Sequence, residues 1–116
     1  QRQMCIRDRG NIGEILAKNY LKKKKFKILE TNFKCKIGEI DIIASKNNII
    51  VFVEVKFKST KKFGLPREMV TLHKQNKIKL VASYYLQIKK LYNSICRFDV
   101  IEIFDEDINH IENAFT

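Results

Sequence analysis

Two carboxylates and an ammonium interrupt aliphatic runs in the middle of this chain: Gly38-Glu39-Ile40-Asp41-Ile42-Ile43-Ala44 and, after a polar break, Val51-Phe52-Val53-Glu54-Val55-Lys56. Read as two strands joined by a turn at Lys46-Asn47-Asn48, the runs set Asp41 opposite Glu54 or one position from it. Lys56 shares their face because strand side chains repeat with period two, and Ile40, Ile42, Val53 and Val55 fall on the other. Like charges facing each other across a sheet are destabilising, so the pair points to a divalent cation that offsets the repulsion. Such a centre suits phosphodiester hydrolysis, which requires an activated water, neutralised phosphoryl oxygens and help for the leaving alkoxide. Mg²⁺, with Mn²⁺ as the alternative, takes one or two protein carboxylates beside water and phosphate, and Asp41 and Glu54 supply that set. Lys56 then orients or deprotonates the attacking water and stabilises developing charge. The plainer reading of Lys56 is a strand lysine that pairs with Glu54.

Positioning these groups requires a sheet covered on both sides. The second run is almost continuously apolar from Ile49 to Val55, the pattern of a strand buried on both faces. Before it, residues 10–25 read as a helix with a stripe at Ile12, Leu16, Ala17, Tyr20 and Leu21 and with Glu14 in its first turn, where a carboxylate favours the helix dipole. The run Lys22 to Lys25 suits the other end of that dipole. Phe26 to Phe33 is a first strand, and Gly38 to Ser45 with Asn48 to Lys58 form the hairpin. Ser59 to Glu68, with Gly64 and Pro66, is a loop. Thr71 caps a long helix to about Leu91 with Leu72, Ile78, Val81, Ala82, Tyr85 and Leu86 inward. Ile95 to Phe104 is a fourth strand, parallel to the third because a helix separates them, and Ile108 to Ile111 a short fifth.

The 116 residues make one domain. A hydrophobic fraction of 45% argues against disorder, and the longest apolar runs are strand-sized, which excludes a helical membrane span. The absence of a leader pattern and of paired cysteines among Cys5, Cys35 and Cys96 is that of a cytoplasmic chain with reduced thiols. Residues 1–9 lack apolar periodicity and are set aside as a non-native or disordered segment, leaving 10–116 as the domain. The net charge of +10 is uneven: residues 10–101 carry 20 basic and 7 acidic side chains, whereas Glu102 onward holds five acids and no Lys or Arg. A +13 body suits a polyanion such as DNA; the plainer account is lysine enrichment in an Ile-, Lys- and Asn-rich composition.

Arg97 and Asp99, on one face of the fourth strand, read as a structural ion pair. His73 and His110 have no partner at zinc-ligand spacing. Tyr84 and Tyr85 are able to stack on bases, although helical spacing makes Tyr85 a core residue first. No phosphate-binding glycine loop or Gly-x-Ser-x-Gly elbow is present.

Gly10-x-x-Gly13-Glu14, Gly38-Glu39-Ile40-Asp41, Phe52-Val53-Glu54-Val55-Lys56, Phe63-Gly64, Lys74 and Cys96-Arg97-Phe98-Asp99-Val100-Ile101 carry a further signal. Through them the stretch from Gly10 to Phe115 resembles the YraN-like proteins and, beyond those, the Holliday-junction-resolvase branch of the PD-(D/E)XK, or restriction-endonuclease-like, nucleases. The resemblance implies a three-layer α/β/α fold around a mixed sheet of four or five strands in the order αβββαβ(β). It also implies that the backbone carbonyl of Val55 is a third metal ligand and that Glu14 completes the site, against the dipole reading above. Lys74, with Lys77 and Lys79 near it, would contact DNA phosphates. Two positions depart from the pattern: Lys58 stands where an arginine often follows, and Phe57 replaces a more polar residue. The implied activity is Mg²⁺-dependent cleavage of structured or branched DNA, as a homodimer if symmetric substrates are cut by paired sites. The competing expectations are a catalytically silent DNA-binding module of the same fold, or an interaction subunit of a DNA-processing complex that uses the acidic C-terminal stretch as its contact.

Overall fold

The structure, a computed structural model, describes residues 6–58 and 70–116, with side chains from residue 12 onward. Its elements are α1 (Ile6–Lys23), β1 (Lys27–Lys34), β2 (Glu39–Lys46), β3 (Ile49–Phe57), α2 (Leu72–Ile88), β4 (Ile95–Phe104) and β5 (Asp107–Phe115). The strands form one sheet in the order β1-β2-β3-β4-β5. All neighbours are antiparallel except β3 and β4, which run parallel as expected from the helix between them. The αβββαβ(β) order is therefore realised, with a fifth strand longer than its apolar core suggested. The loop expected over residues 59–68 lies outside the described residues. α1 begins at Ile6, within the segment set aside above.

Local chemistry accounts for the joints. Lys46 pairs with Ile49, so β2 and β3 are joined by the two residues Asn47 (φ 53°) and Asn48 (φ 65°). Positive φ at both positions is the turn whose twist matches a hairpin, and asparagine is among the few side chains that tolerate it. At the start of α2 the Thr71 side-chain oxygen accepts the Lys74 N–H at 3.2 Å, the N-cap expected from sequence.

Two cores sandwich the sheet. Ala17 and Leu21 of α1 lie over Ile42, Ala44, Val51, Val53, Ile101 and Ile103. Ile78, Val81, Ala82 and Tyr85 of α2 lie over Ile43, Ile50, Phe52 and Val100. β3 feeds both cores, which is why its sequence does not alternate. Two apolar residues expected inside are out: Ile12 is 37% and Leu72 69% exposed. Leu72 precedes Val81 by nine residues, about half a turn out of phase with the buried stripe at 3.6 residues per turn. No described helix is long and apolar enough to cross a membrane.

Candidate metal and phosphate site

The β2–β3 ladder stops one step short of the carboxylates. Its last register pair is Ile42 with Val53. At the next step the Val55 N–H donates to Asp41 Oδ2 at 2.8 Å, so a side chain takes the acceptor role a neighbouring strand's carbonyl would have had. The alternation breaks there too. Ile42, Val53 and Val55 pack on the α1 side as expected, but Ile40 crosses to the α2 core beside Ile43. Asp41 and Glu54 nevertheless meet. The Asp41 carboxyl is pushed up to about 8, first by burial and then by the hydrogen bond and charge of Glu54, with the charge of Glu14 adding to the push and the Val55 N–H opposing it.

Glu14 arrives from the opposite side of the sheet because α1 approaches β3 closely. A Cβ on Gly13 would lie 2.5 Å from Cε2 of Phe57, so only glycine lets the ring sit against the helix at this point. This gives the departure at Phe57 a structural role. Glu14, the next residue, keeps its Oε1 buried without a hydrogen-bond partner among the described residues, an arrangement costly for a polar oxygen and more so for a charged one. The first-turn dipole reading of Glu14 is corrected: with α1 starting at Ile6, the residue lies in the third turn, where the helix-end field has faded.

On the α2 side, Lys74 Nζ stands 2.8 Å from Glu54 Oε2, whose side chain is 10% exposed. That hydrogen bond raises the Lys74 ammonium, against burial, which would lower it. A cleft of about 250 Å³ opens beside the pair, lined by Glu54, Val55, Lys56, Phe57, Val70, Thr71 and Lys74. Lys56 thus borders the same space as Glu54, two residues on. The start of α2 also lies along this cleft, and the backbone N–H groups of a helix N-terminus favour phosphate. Lys77 is exposed one turn beyond Lys74. Lys79, two residues later, is carried about 200° further around the helix by its pitch, so it does not line that edge.

The sequence missed Glu102. Counted there with the acidic C-terminal stretch, it is fully buried in β4 as the register partner of Lys56. Its Oε1 accepts from Asn109 Nδ2 at 3.3 Å, and Lys58 Nζ lies 3.5 Å from Oε2, an oxygen that makes no hydrogen bond among the described residues. The stretch after Glu102 is the end of β4 and all of β5, part of the sheet rather than a free tail.

Arg97 and Asp99 do form the expected pair, with Nε and Nη2 at 3.0 and 3.1 Å from the two carboxylate oxygens. Their surroundings were not legible. His110 Nε2 lies 2.7 Å from Asp99 Oδ2, and the Asn113 N–H donates to Oδ1 at 2.9 Å. His110 Nδ1 lies 3.1 Å from the Tyr20 hydroxyl of α1. β5 slips its register opposite Asp99, between the Phe98–Phe115 and Val100–Ile111 pairs, with Asn113 at φ 53°. That irregularity aims a backbone N–H inward. An asparagine near a strand end, a residue that tolerates positive φ, was the only sequence clue. Burial works to raise the Asp99 pKa, but the bonds from His110, Arg97 and Asn113 outweigh it and hold the carboxylate below its ordinary range.

The sequence profile of the uncharacterised protein family UPF0102 matches residues 13–103, a span that begins at Gly13-Glu14 and takes in Asp41, Glu54, Lys56 and Lys74. Relatives are similar over nearly the whole chain. A UPF0102 protein of Clostridioides difficile is 52% identical over 97% of this chain and all of its own length. One of Caldicellulosiruptor saccharolyticus is 49% identical with the same coverage. One of Caldanaerobacter subterraneus is 50% identical over 91% of this chain and 93% of its own.

Proposed function

This chain belongs to the uncharacterised protein family UPF0102, and we propose that it is a Mg²⁺-dependent phosphodiesterase of the nuclease fold that cleaves structured or branched DNA. The observation that carries the reading is the convergence of Asp41, Glu54 and Glu14, with Asp41 pushed up to about 8 and a Glu14 oxygen buried without a partner among the described residues. The donor set fits a hard cation: carboxylate oxygens, one of them orphaned, and neither thiolate nor imidazole. Among the described residues no group of three or more His, Cys, Asp and Glu side chains is placed to hold a metal. Asp41 and Glu54 would therefore be the side-chain ligands, a number that Mg²⁺ accepts when water and phosphate complete its shell, with Glu14 and the Val55 carbonyl behind them. A bound Mg²⁺ supplies charge neutralisation at the phosphoryl oxygens and a more acidic water.

The chain's own groups do the rest. With the cation bound, Asp41 would release its proton to solvent and the pair would be doubly anionic. Lys56, on the cleft wall beside Glu54, orients the attacking water and meets charge developing on the phosphoryl group. Lys74, released from Glu54, then meets a phosphate at the start of α2. A second reading has a specific observation in its favour. Lys74 already neutralises Glu54 at 2.8 Å, which suits a silent module that holds DNA without cutting it.

Incubation with duplex, single-stranded, flap and four-way-junction DNA in Mg²⁺, Mn²⁺ or EDTA separates the two. Metal-dependent cleavage that falls roughly 10²-fold or more in Lys56→Ala, at DNA affinity unchanged within a few-fold, is the expected result. Binding without cleavage on every substrate selects the silent module.

A further inference from the structure

A second recess lies further along α2, on the edge of the sheet that β1 and β2 form. It measures about 340 Å³ and is lined by Lys34, Cys35, Lys36, Ile37 and Tyr84. Its two apolar walls face solvent more than such residues usually do, with Ile37 40% and Tyr84 41% exposed. Both are held in place. The turn carrying Lys36 and Ile37 is closed by Cys35 N–H to Gly38 O at 2.9 Å and Gly38 N–H to Cys35 O at 3.2 Å. Gly38 rests on the buried Val81 of α2, whose Cγ2 lies 3.6 Å from where a Cβ would stand. Tyr84 follows one helical turn later, its ring 6.3 Å from that of Phe33. An aromatic face, an aliphatic side chain and two ammonium groups thus share one concave, preformed surface.

That surface lies along the same helix as the metal and phosphate site. Lys34 Nζ is 4.0 Å from Glu39 Oε2, at the start of β2. Lys74, Lys77, Val81 and Tyr84 follow one another at steps of three and four, a single stripe of the helix. The ten steps from Lys74 to Tyr84 span about 15 Å at the α-helical rise, close to four nucleotides at the roughly 3.4 Å spacing of stacked bases.

We propose that the recess between Tyr84 and the Lys34–Ile37 turn is a binding subsite for an unpaired nucleotide, in which a base stacks on Tyr84 against Ile37 while Lys34 and Lys36 hold its flanking phosphates. Aromatic side chains with cationic neighbours are the usual platform for single strands, because every base offers a π-face. A base within a duplex is already stacked on both sides and does not enter. The subsite therefore selects nucleic acid that carries a single-stranded segment about four nucleotides from the phosphate at Lys74. This deepens the phosphodiesterase reading, on which the placement of that phosphate rests.

Fluorescence anisotropy in EDTA, with a labelled single-stranded 12-mer and the corresponding duplex, tests the subsite without any cleavage. Tyr84→Ala should weaken single-strand binding by roughly tenfold, within the range for removing one base–aromatic stack. Duplex binding should change less than twofold, and Tyr84→Phe should bind the single strand like the wild type. Lys34→Gln with Lys36→Gln should flatten the log–log salt dependence by about 0.7 for each phosphate that is no longer neutralised. Equal losses on both DNAs, unchanged single-strand affinity in Tyr84→Ala with its melting temperature preserved, or no binding by the wild type would each overturn the subsite. Cleavage in Mg²⁺ with no Tyr84 effect leaves the phosphodiesterase reading standing alone. A Tyr84-dependent affinity without cleavage leaves the subsite standing without that reading.

Discussion

Asp41 and Asp99 are carboxylates withdrawn from solvent on strands of one sheet, yet their surroundings push them in opposite directions. Asp99 is met by the Arg97 guanidinium, by His110 and by the Asn113 N–H, and is held below its ordinary range. Asp41 is met by a backbone N–H and by the Glu54 carboxylate, with the charge of Glu14 adding at longer range, and is pushed up to about 8. The first arrangement is complete: its charge is balanced by groups the chain itself supplies, and it ties β4 to β5 and, through His110 and Tyr20, to α1. At the second, Lys74 pairs with Glu54 rather than with Asp41. A buried acid that its own fold satisfies is a joint in the scaffold. One that its fold leaves repelled points to something the chain binds.

The largest expected effect breaks the complete side. Asp99→Asn removes the charge and leaves Arg97 and His110 facing a neutral amide, which should destabilise the fold by about 3 kcal/mol, the lower end for breaking a buried pair because Glu112 still lies 3.2 Å from Arg97. Urea unfolding at pH 7 measures it. A loss under about 1 kcal/mol, the scale of an exposed pair, would mean that the Arg97–His110–Asn113 set is not a joint. The linkage sign follows from the lowered pKa: this stability is present above the ordinary carboxylate range and is lost as pH falls through the folded-state pKa.

Next in size is the response of the repelled side to added positive charge. A divalent cation at about a hundred times its dissociation constant should stabilise the wild type by about 2.7 kcal/mol, read as a rise in melting temperature. Asp41→Asn combined with Glu54→Gln should remove that rise, whereas Asp99→Asn should keep it. Equal shifts in all three proteins would show that cations bind elsewhere.

The smallest effect is a slope. Without metal, folding keeps a proton on Asp41 that the unfolded chain releases near the ordinary value of 3.8, so stability should decline as pH rises from about 4 to about 8. Asp41→Asn should flatten that decline and be neutral or stabilising near pH 8. An unchanged slope, or a variant less stable than the wild type at that upper pH, would mean that Asp41 is as well satisfied as Asp99. The sign of the slope is what the experiment reads.

Much of this was written in the order of residue types. Period-two runs, the Asn47-Asn48 turn, the Thr71 cap and the double-sided apolarity of β3 determine the elements, their order and the parallel β3–β4 pair, because each depends on neighbours within a few positions. The pairing of Asp41 with Glu54 was legible for the same reason, being a matter of register about a two-residue turn. Tertiary structure alone decided the rest. The approach of α1 that Gly13 permits at Phe57 places the orphaned Glu14 oxygen near Asp41 from the other side of the sheet. Lys74 meets Glu54 because the start of α2 and the end of β3 line one cleft, and the bulge in β5 delivers Asn113 to Asp99. Glu102 reads as part of a charged tail until β5 and Lys58 close over it. These contacts join residues 7 to 44 positions apart, and a local pattern carries no information about which distant side chain arrives or whether it brings a charge of the same sign or the opposite one.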